Sequence, residues 1–393
     1  MTTKRLVLKT ALGLIAAASG ATAWAADTGP IKIGLILPMT GQSASTGRQI
    51  DAAVKLWVAQ NGNKIAGRTV EVILKDDGAV PDATKRIAQE LIVNDKVSVI
   101  AGFGITPTAL ATAPLATQSK TPLVVMAAAT SSITEASPYI VRTSFTLPQV
   151  TIAIADWAAK NKIRRAVTLV ADYGPGFDAE KFFDSQFRLD GGQVLDKLRT
   201  PLKAPDFAPV LQKVVDTKPD ALFVFLPSGQ GATFMKQFAE RGLDKSGIRL
   251  IATGDVTDDD QLADMGDVAL GVVNSHHYSA AHPSATNKKF VEAFQAANKF
   301  RPNFMAVGGY DGMRVIYKAL EATKGEGGDK LLAAMKGQIF ESPRGQVLID
   351  GQTRDIVQDV YIRKVERVPA MGNGLYNVEF DVIKAVKDPG KTK

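Results

Sequence analysis

The stretch MAAATSSIT, residues 126–134, places small side chains and then hydroxyls directly after the apolar run Pro122–Val125. Ala127, Ala128 and Ala129 leave the backbone open to close approach, and Thr130, Ser131 and Ser132 offer hydroxyl donors. At a strand-to-helix turn, hydroxyls and free N–H groups suit an anion. The same residues also suit a plain helix start with Thr130 or Ser131 as N-cap. Comparable turns recur along the chain: PMTGQSASTG (38–47), GFGITPT (102–108), DYGPGF (172–177), PSGQG (227–231) and ATGDVTDDD (252–260). Most are rich in Gly, Ser and Thr, and only the last is rich in charge.

Other chemistries find less material. All three histidines lie in HHYSAAH, 276–282. Adjacent histidines on a strand point to opposite faces, and no acid stands nearby at ligand spacing, so no metal is expected. Asp258, Asp259 and Asp260 are expected at a helix N-terminus, where the dipole favours them, because a calcium loop needs a longer spaced pattern. GFGITPT lacks the third glycine and the ribose-binding acid of a dinucleotide site, and no GxSxG nucleophile turn occurs. The expectation is a binding protein with no cofactor, rather than an enzyme.

The elements that would position these turns alternate strand with helix. Apolar runs at 31–37, 70–74, 97–101 and 123–126 are predicted strands, and 46–60, 82–92 and 107–118 show helical spacing, with Asp82 as a cap. The alternation restarts: helix 150–159, strand 166–171, helix 178–189, strand 193–198, helix 210–215, strand 221–226, helix 232–241 and strand 249–252. Beyond these come a strand at 271–274, helices at 288–298 and 305–323, and a β-ribbon from 345 to 365. Repeated β-α units imply an α/β fold with parallel-rich sheets covered by helices on both faces. Two doubly wound lobes are expected, the first from 26–146 and 277–349, the second from 147–276 and 350–393. With no flexible linker, the crossings between them are short and can act as a hinge.

The N-terminus reads as a secretory signal peptide, residues 1–25: Lys4, Arg5 and Lys9, then the apolar Ala11–Ala18, then Ala23-Trp24-Ala25 as cleavage site. Cleavage there removes three of the 47 basic residues and no acid, so the formal charge drops from +7 to +4. That surplus is too mild, and too scattered, to suggest nucleic-acid binding. The chain has no cysteine, which excludes disulfides, thiol catalysis and a lipid anchor at the cleavage point. A free periplasmic protein is expected, with nothing that argues for more than a monomer.

The segments IKIGLILPMTGQSASTGRQ, ALATAPLATQSKTPLVVMAAATSS, DYGPGFDAEKF, YDGMRVIYKAL and ESPRGQVLID resemble, in order and spacing, the periplasmic solute-binding proteins of ABC importers, leucine/isoleucine/valine-binding type. The resemblance covers the whole chain after residue 25. It implies a type I periplasmic-binding-protein fold, with a three-segment hinge and a solute held between closing lobes for delivery to an inner-membrane ABC permease. It also implies a cradle for an amino acid's carboxylate at Thr106 and Thr130. The ammonium would be held by the Ala128 carbonyl and Asp255, and Tyr173 would close over the ligand. Where leucine-binding members carry tyrosines, this chain has Thr46 and Pro227-Ser228, so the pocket is expected to be differently shaped. His276, His277 and Tyr278 stand where they can rebuild an aromatic wall, and Met305 offers either a soft apolar contact or a core side chain. An amino acid of branched-chain type or an analogue is the first expectation. An aromatic or other simple carboxylate for uptake, or a ligand-sensing role on the same fold, is the alternative.

Overall fold

The computed structural model describes residues 29–391. The expected signal peptide lies outside the described residues. A first sheet has Ile31–Leu37 at its centre, flanked by Arg68–Asp76 on one side and by Val99–Gly102, Leu123–Val125 and Ile140–Arg142 on the other, all parallel. Lys64–Ile65 adds a short antiparallel edge. In Ile31–Leu37 every side chain but Lys32 is buried, as a strand covered by helices on both faces requires.

The second sheet runs Gln193–Thr200, Arg165–Ala171, Ala221–Phe225, Arg249–Thr253 and Val273–His276, parallel throughout. The long strand Ile356–Val368 then joins antiparallel to Val273–His276, and Gly374–Val386 pairs along it. A hairpin, Ile339–Ser342 with Gly345–Ile349, pairs with the start of the same long strand.

The chain passes between the two sheets after Arg142, after His276 and again after Met335. The middle excursion carries helices Ala285–Asn298 and Phe304–Ala322 back to the first sheet. There Phe304–Ala322 lies against Ala44–Asn61, with the Trp57 and Tyr310 rings 4.9 Å apart. Gly309 permits the close approach, because a Cβ at that position would sit 3.2 Å from the Ile50 backbone.

The predicted elements are present, with shifted ends. Helix Pro81–Val93 starts one residue before Asp82, so Val80 is the N-cap and Asp82 lies in the first turn. The strand expected from Gly271 begins at Val273. The strand Gly374–Val386 went unpredicted: its outer half is exposed on most residues and carries no apolar run.

Candidate functional site

The turns that follow the strands of both sheets face one another across a narrow cleft. Its lining includes Thr46, Thr106, Ala128, Tyr173, Asp255 and Met305 from the expected set, together with Phe145, Phe225 and Ser228. Such a position, outside the carboxyl ends of parallel strands, is where open α/β sheets bind ligands.

Several helices begin at the cleft. Ala44–Asn61 starts beside Ser43 and Thr46, Thr106–Ser119 starts with Thr106 itself, Gly174–Leu189 starts just after Tyr173, and Phe304–Ala322 brings Met305 in its first turn. The first N–H groups of a helix lack intrahelical partners and carry the positive end of its dipole. The N-termini of Ala44–Asn61, Thr106–Ser119 and Gly174–Leu189 therefore suit an anion without a lysine or arginine in the lining, whereas Asn303 Oδ1 caps Phe304–Ala322 by accepting from the Met305 and Ala306 N–H groups.

The Thr106 and Thr130 hydroxyls are 2.9 Å apart. Thr106 lines the cleft, whereas Thr130 lies behind it. Gly174, from the other lobe, sits directly over the pair: a Cβ there would come 2.9 Å from Thr130 Oγ1. The two lobes thus meet at the hydroxyl pair. Beneath it, the buried Arg142 donates to the carbonyls of Thr130 (2.8 Å), Ser131 (3.3 Å), Phe145 (3.2 Å) and Ala128 (3.4 Å). Its Nε reaches Asp355 at 2.8 Å. One buried cation therefore gathers the carbonyls of the turn 128–131, and Leu147 N–H takes that of Ala129. Ser144 Oγ also donates to the Ala128 carbonyl, at 3.4 Å. Thr130 is the N-cap of the short helix Ser131–Glu135 by position but makes no side-chain cap bond, because its hydroxyl is committed to Thr106. Ser131 Oγ bonds Asp388, at 2.6 Å, instead of capping.

The walls are aromatic. Tyr173 stacks on Phe225 at 6.2 Å, and burial, then the nearby Asp255 charge, raises the Tyr173 phenol far above its ordinary pKa. Met305 is buried at 7 % exposure yet lines the cleft, so it serves both as core and as wall. His277 is not in the lining. It lies behind Phe145, ring centroids 5.0 Å apart, and neither of its ring nitrogens has a partner. His276 and His277 do not point to opposite faces as strand neighbours would, because the strand ends at His276; their rings lie 4.5 Å apart. Burial lowers both imidazoles, His276 to about 4.

The sign of that shift is testable. A histidine held neutral in the fold but titrating near 6.5 when unfolded contributes stability above that pH. The contribution is lost as pH falls toward the folded-state value. His277→Leu is expected to flatten the decline in melting temperature between pH 6.5 and 5 relative to the parent. Parallel melting curves across that range would show that His277 does not titrate on unfolding as described.

The acidic run at the end of ATGDVTDDD behaves differently from expectation. Only the four-residue helix Leu262–Met265 follows it, and the carboxylates do not serve its N-terminus. Asp260 accepts from Ser45 Oγ at 2.8 Å and from Gln49 Nε2 at 3.3 Å, across the cleft. Asp258 accepts from Ser228 Oγ at 2.7 Å and from Asn303 Nδ2 at 3.0 Å, and burial raises its pKa well above the usual range. The bonds to Ser45, Gln49 and Asn303 clasp one lobe to the other, and that to Ser228 braces Asp258 within its own lobe. No local pattern signals them, since the partners lie 30 to 215 residues away. Phe145 was also missed, because it lies in a crossing segment with no periodicity. Among the described residues, no group of three or more potential ligands could hold a metal ion.

A family model described as Periplasmic binding protein matches residues 30–372. A Leu/Ile/Val-binding protein homolog 6 from Brucella melitensis is 42% identical over 365 residues, covering 92% of this chain and 93% of the relative. Among solved structures, a solute-binding protein of an ABC transporter from Rhodopseudomonas palustris BisB5, in complex with 3,4-dihydroxybenzoic acid, is 63% identical with a TM-score of 0.90, covering 92% of this chain and 99% of that one. A second, from R. palustris HaA2 with p-hydroxybenzoic acid, is 42% identical with a TM-score of 0.88 and the same coverage. A fold of two doubly wound lobes, turns rich in small and hydroxyl residues facing one cleft, and a family match across nearly the whole described chain agree: the chain belongs to the periplasmic binding protein family, of the Leu/Ile/Val-binding type.

Proposed function

We propose that the protein captures an aromatic carboxylate of the hydroxybenzoate class between its lobes and delivers it to an ABC permease of the inner membrane. The observation that carries this reading is the character of the cleft. Helix N-termini and the Thr106 hydroxyl supply an anion cradle, while Phe145, Tyr173 and Phe225 supply aromatic walls. The 63% identical relative in complex with 3,4-dihydroxybenzoic acid supports the same class.

In this reading Thr106, backed by Thr130, holds the carboxylate, Thr46, Tyr173 and Met305 enclose the ring, and His277 supports Phe145 from behind. The lobes are 26–146 with the excursion 277–335, and 147–276 with 339–393, because the hairpin 339–349, expected in the first lobe, pairs with the long strand of the second sheet. The protein acts in the periplasm as a monomer, after removal of residues 1–25, and performs no catalysis.

An amino acid remains the second reading, favoured by the buried Asp255 carboxylate in the lining. Against it, the Ala128 carbonyl that would accept from an ammonium already receives Arg142 and Ser144. Burying an ammonium without its full set of acceptors is costly.

Thermal melting against a solute panel tests the proposal. A ligand present at a hundred times its Kd stabilises the fold by about 2.7 kcal/mol. 4-Hydroxybenzoate and 3,4-dihydroxybenzoate are expected to raise Tm by several degrees, and leucine and valine to leave it unchanged. The reverse pattern would return the protein to amino-acid capture.

A further inference from the structure

The second-lobe wall of the cleft holds a carboxylate whose bonding is incomplete. Asp255 follows the strand Arg249–Thr253, lines the cleft, and is 3 % exposed. Its Oδ2 has no hydrogen-bond partner. The nearest base is His276 Nε2 at 3.6 Å, beyond hydrogen-bond length. The other charged group close by, Arg363, donates through Nε to Asn274 Oδ1 at 2.7 Å and through Nη1 to the Tyr278 carbonyl, and its Nη2 lies against Gly254 with no bond to Asp255 or to any other group. Tyr173 contributes no bond to Asp255 either, although it lines the same wall.

His276 cannot move away from this carboxylate. Its ring lies 4.6 Å from that of Phe145 and 4.1 Å from that of Phe304. A Cβ at Gly254 would come within 2.8 Å of His276 Cβ, so the backbone beside Asp255 is pressed against the histidine. Both ring nitrogens lack partners. A neutral imidazole has one N–H to give, and a shift of a few tenths of an ångström would direct it to Asp255 Oδ2.

A buried carboxylate that lacks donors carries a desolvation penalty until one arrives. With an aromatic acid in the cleft, the donor is a ring hydroxyl. We propose that Asp255, backed by His276, accepts the hydrogen bond of a ring hydroxyl on the bound aromatic acid, and so sets a preference for hydroxylated over unsubstituted benzoates. The assignment rests on the aromatic-carboxylate reading. Asp255 touches the ligand, and His276 is a positioning residue acting through it.

Isothermal titration of the purified protein with 4-hydroxybenzoate and 4-fluorobenzoate tests it. The two are similar in size, but only the first has a donor. The parent is expected to bind 4-hydroxybenzoate about 10- to 100-fold more tightly, the range of a hydrogen bond to a buried charge. Asp255→Leu should remove that preference, bringing the affinity for 4-hydroxybenzoate to that for 4-fluorobenzoate. His276→Leu should reduce the ratio several-fold, and His276→Gln, which keeps a donor, should restore it. Equal affinities for the two acids in the parent, or an equal loss of both in Asp255→Leu, would overturn the role given to Asp255 and leave the aromatic-acid reading standing. Binding of leucine with neither aromatic acid bound would overturn both. Should Asp255→Leu fail to fold, the ratios of His276→Leu and His276→Gln decide: a ratio unchanged from the parent in His276→Leu would overturn the assignment.

Discussion

Replacing Arg344 with leucine is expected to cost the fold about 3–5 kcal/mol, the effect of breaking a buried ion pair on one side. Arg344 is 1 % exposed. Its Nε and Nη2 donate to Asp311 Oδ2 at 3.0 and 2.6 Å, its Nη2 to the Thr143 carbonyl at 2.6 Å, and its Nη1 to the Ser144 carbonyl at 2.9 Å and Gln358 Oε1 at 2.8 Å. One guanidinium thus joins the helix Phe304–Ala322, the crossing that follows Arg142, and the long strand Ile356–Val368. Leucine fills much of the space but leaves the Asp311 charge buried without its cation, with the Ser342 hydroxyl, at 2.7 Å, as its remaining donor. For a chain of this size the loss corresponds to a drop in Tm of about 5 °C. Burial already raises the Asp311 pKa against the pull of Arg344. Without the arginine it rises further, and an acid that holds its proton more tightly when folded gains stability as pH falls. The deficit should therefore shrink from pH 7 toward pH 4. Adding Asp311→Leu should recover much of the loss, since an apolar pair can replace a buried ion pair at little cost. Melting of Arg344→Leu at the parent's temperature would show that the clamp does not hold the crossing together.

The difference between what could and could not be read from the sequence is physical. Strands such as Ile31–Leu37 and Ala221–Phe225 are buried on both faces, so their composition announces them. The turns after strands were legible too, because close approach to a ligand or to the opposite lobe selects small and hydroxyl side chains there; Gly174 over Thr130 is an instance. The roles inside those turns were less so. Nothing near Thr130 shows that its hydroxyl serves Thr106, 24 residues away. Nothing near Asp260 points to Ser45, 215 residues away. Arg344 with Asp311 and Arg142 with Asp355 are likewise buried pairs closed by the tertiary fold. Local pattern fixes elements through burial, but a polar side chain takes its partner from whatever the topology brings to it.

That distinction bears on how the carboxylate is held, and predicts an unequal response from two similar threonines. Thr106→Val is expected to weaken 4-hydroxybenzoate binding by about 10- to 100-fold, the loss of one charge-assisted hydrogen bond. Thr130→Val should weaken it less, and the double variant should lose little more than Thr106→Val alone. The two hydroxyls carry one proton each and share one bond. One proton is consumed between them, so only one remains for a ligand. Thr106 lines the cleft and Thr130 lies behind, which makes Thr130 the donor to Thr106 and Thr106 the donor to the anion. Removing Thr130 takes away the polarising donor and the fixed rotamer, while the outer hydroxyl survives. Binding is not abolished in any of these variants, because the N-termini of Thr106–Ser119 and Gly174–Leu189 still face the carboxylate. Valine matches threonine in shape, so each change is read through the hydroxyl alone. A double-variant cycle by calorimetry should give a coupling of about 0.5–3 kcal/mol. Strictly additive losses would mean that each hydroxyl reaches the ligand independently, and unchanged affinity in Thr106→Val would place the anion elsewhere in the cleft.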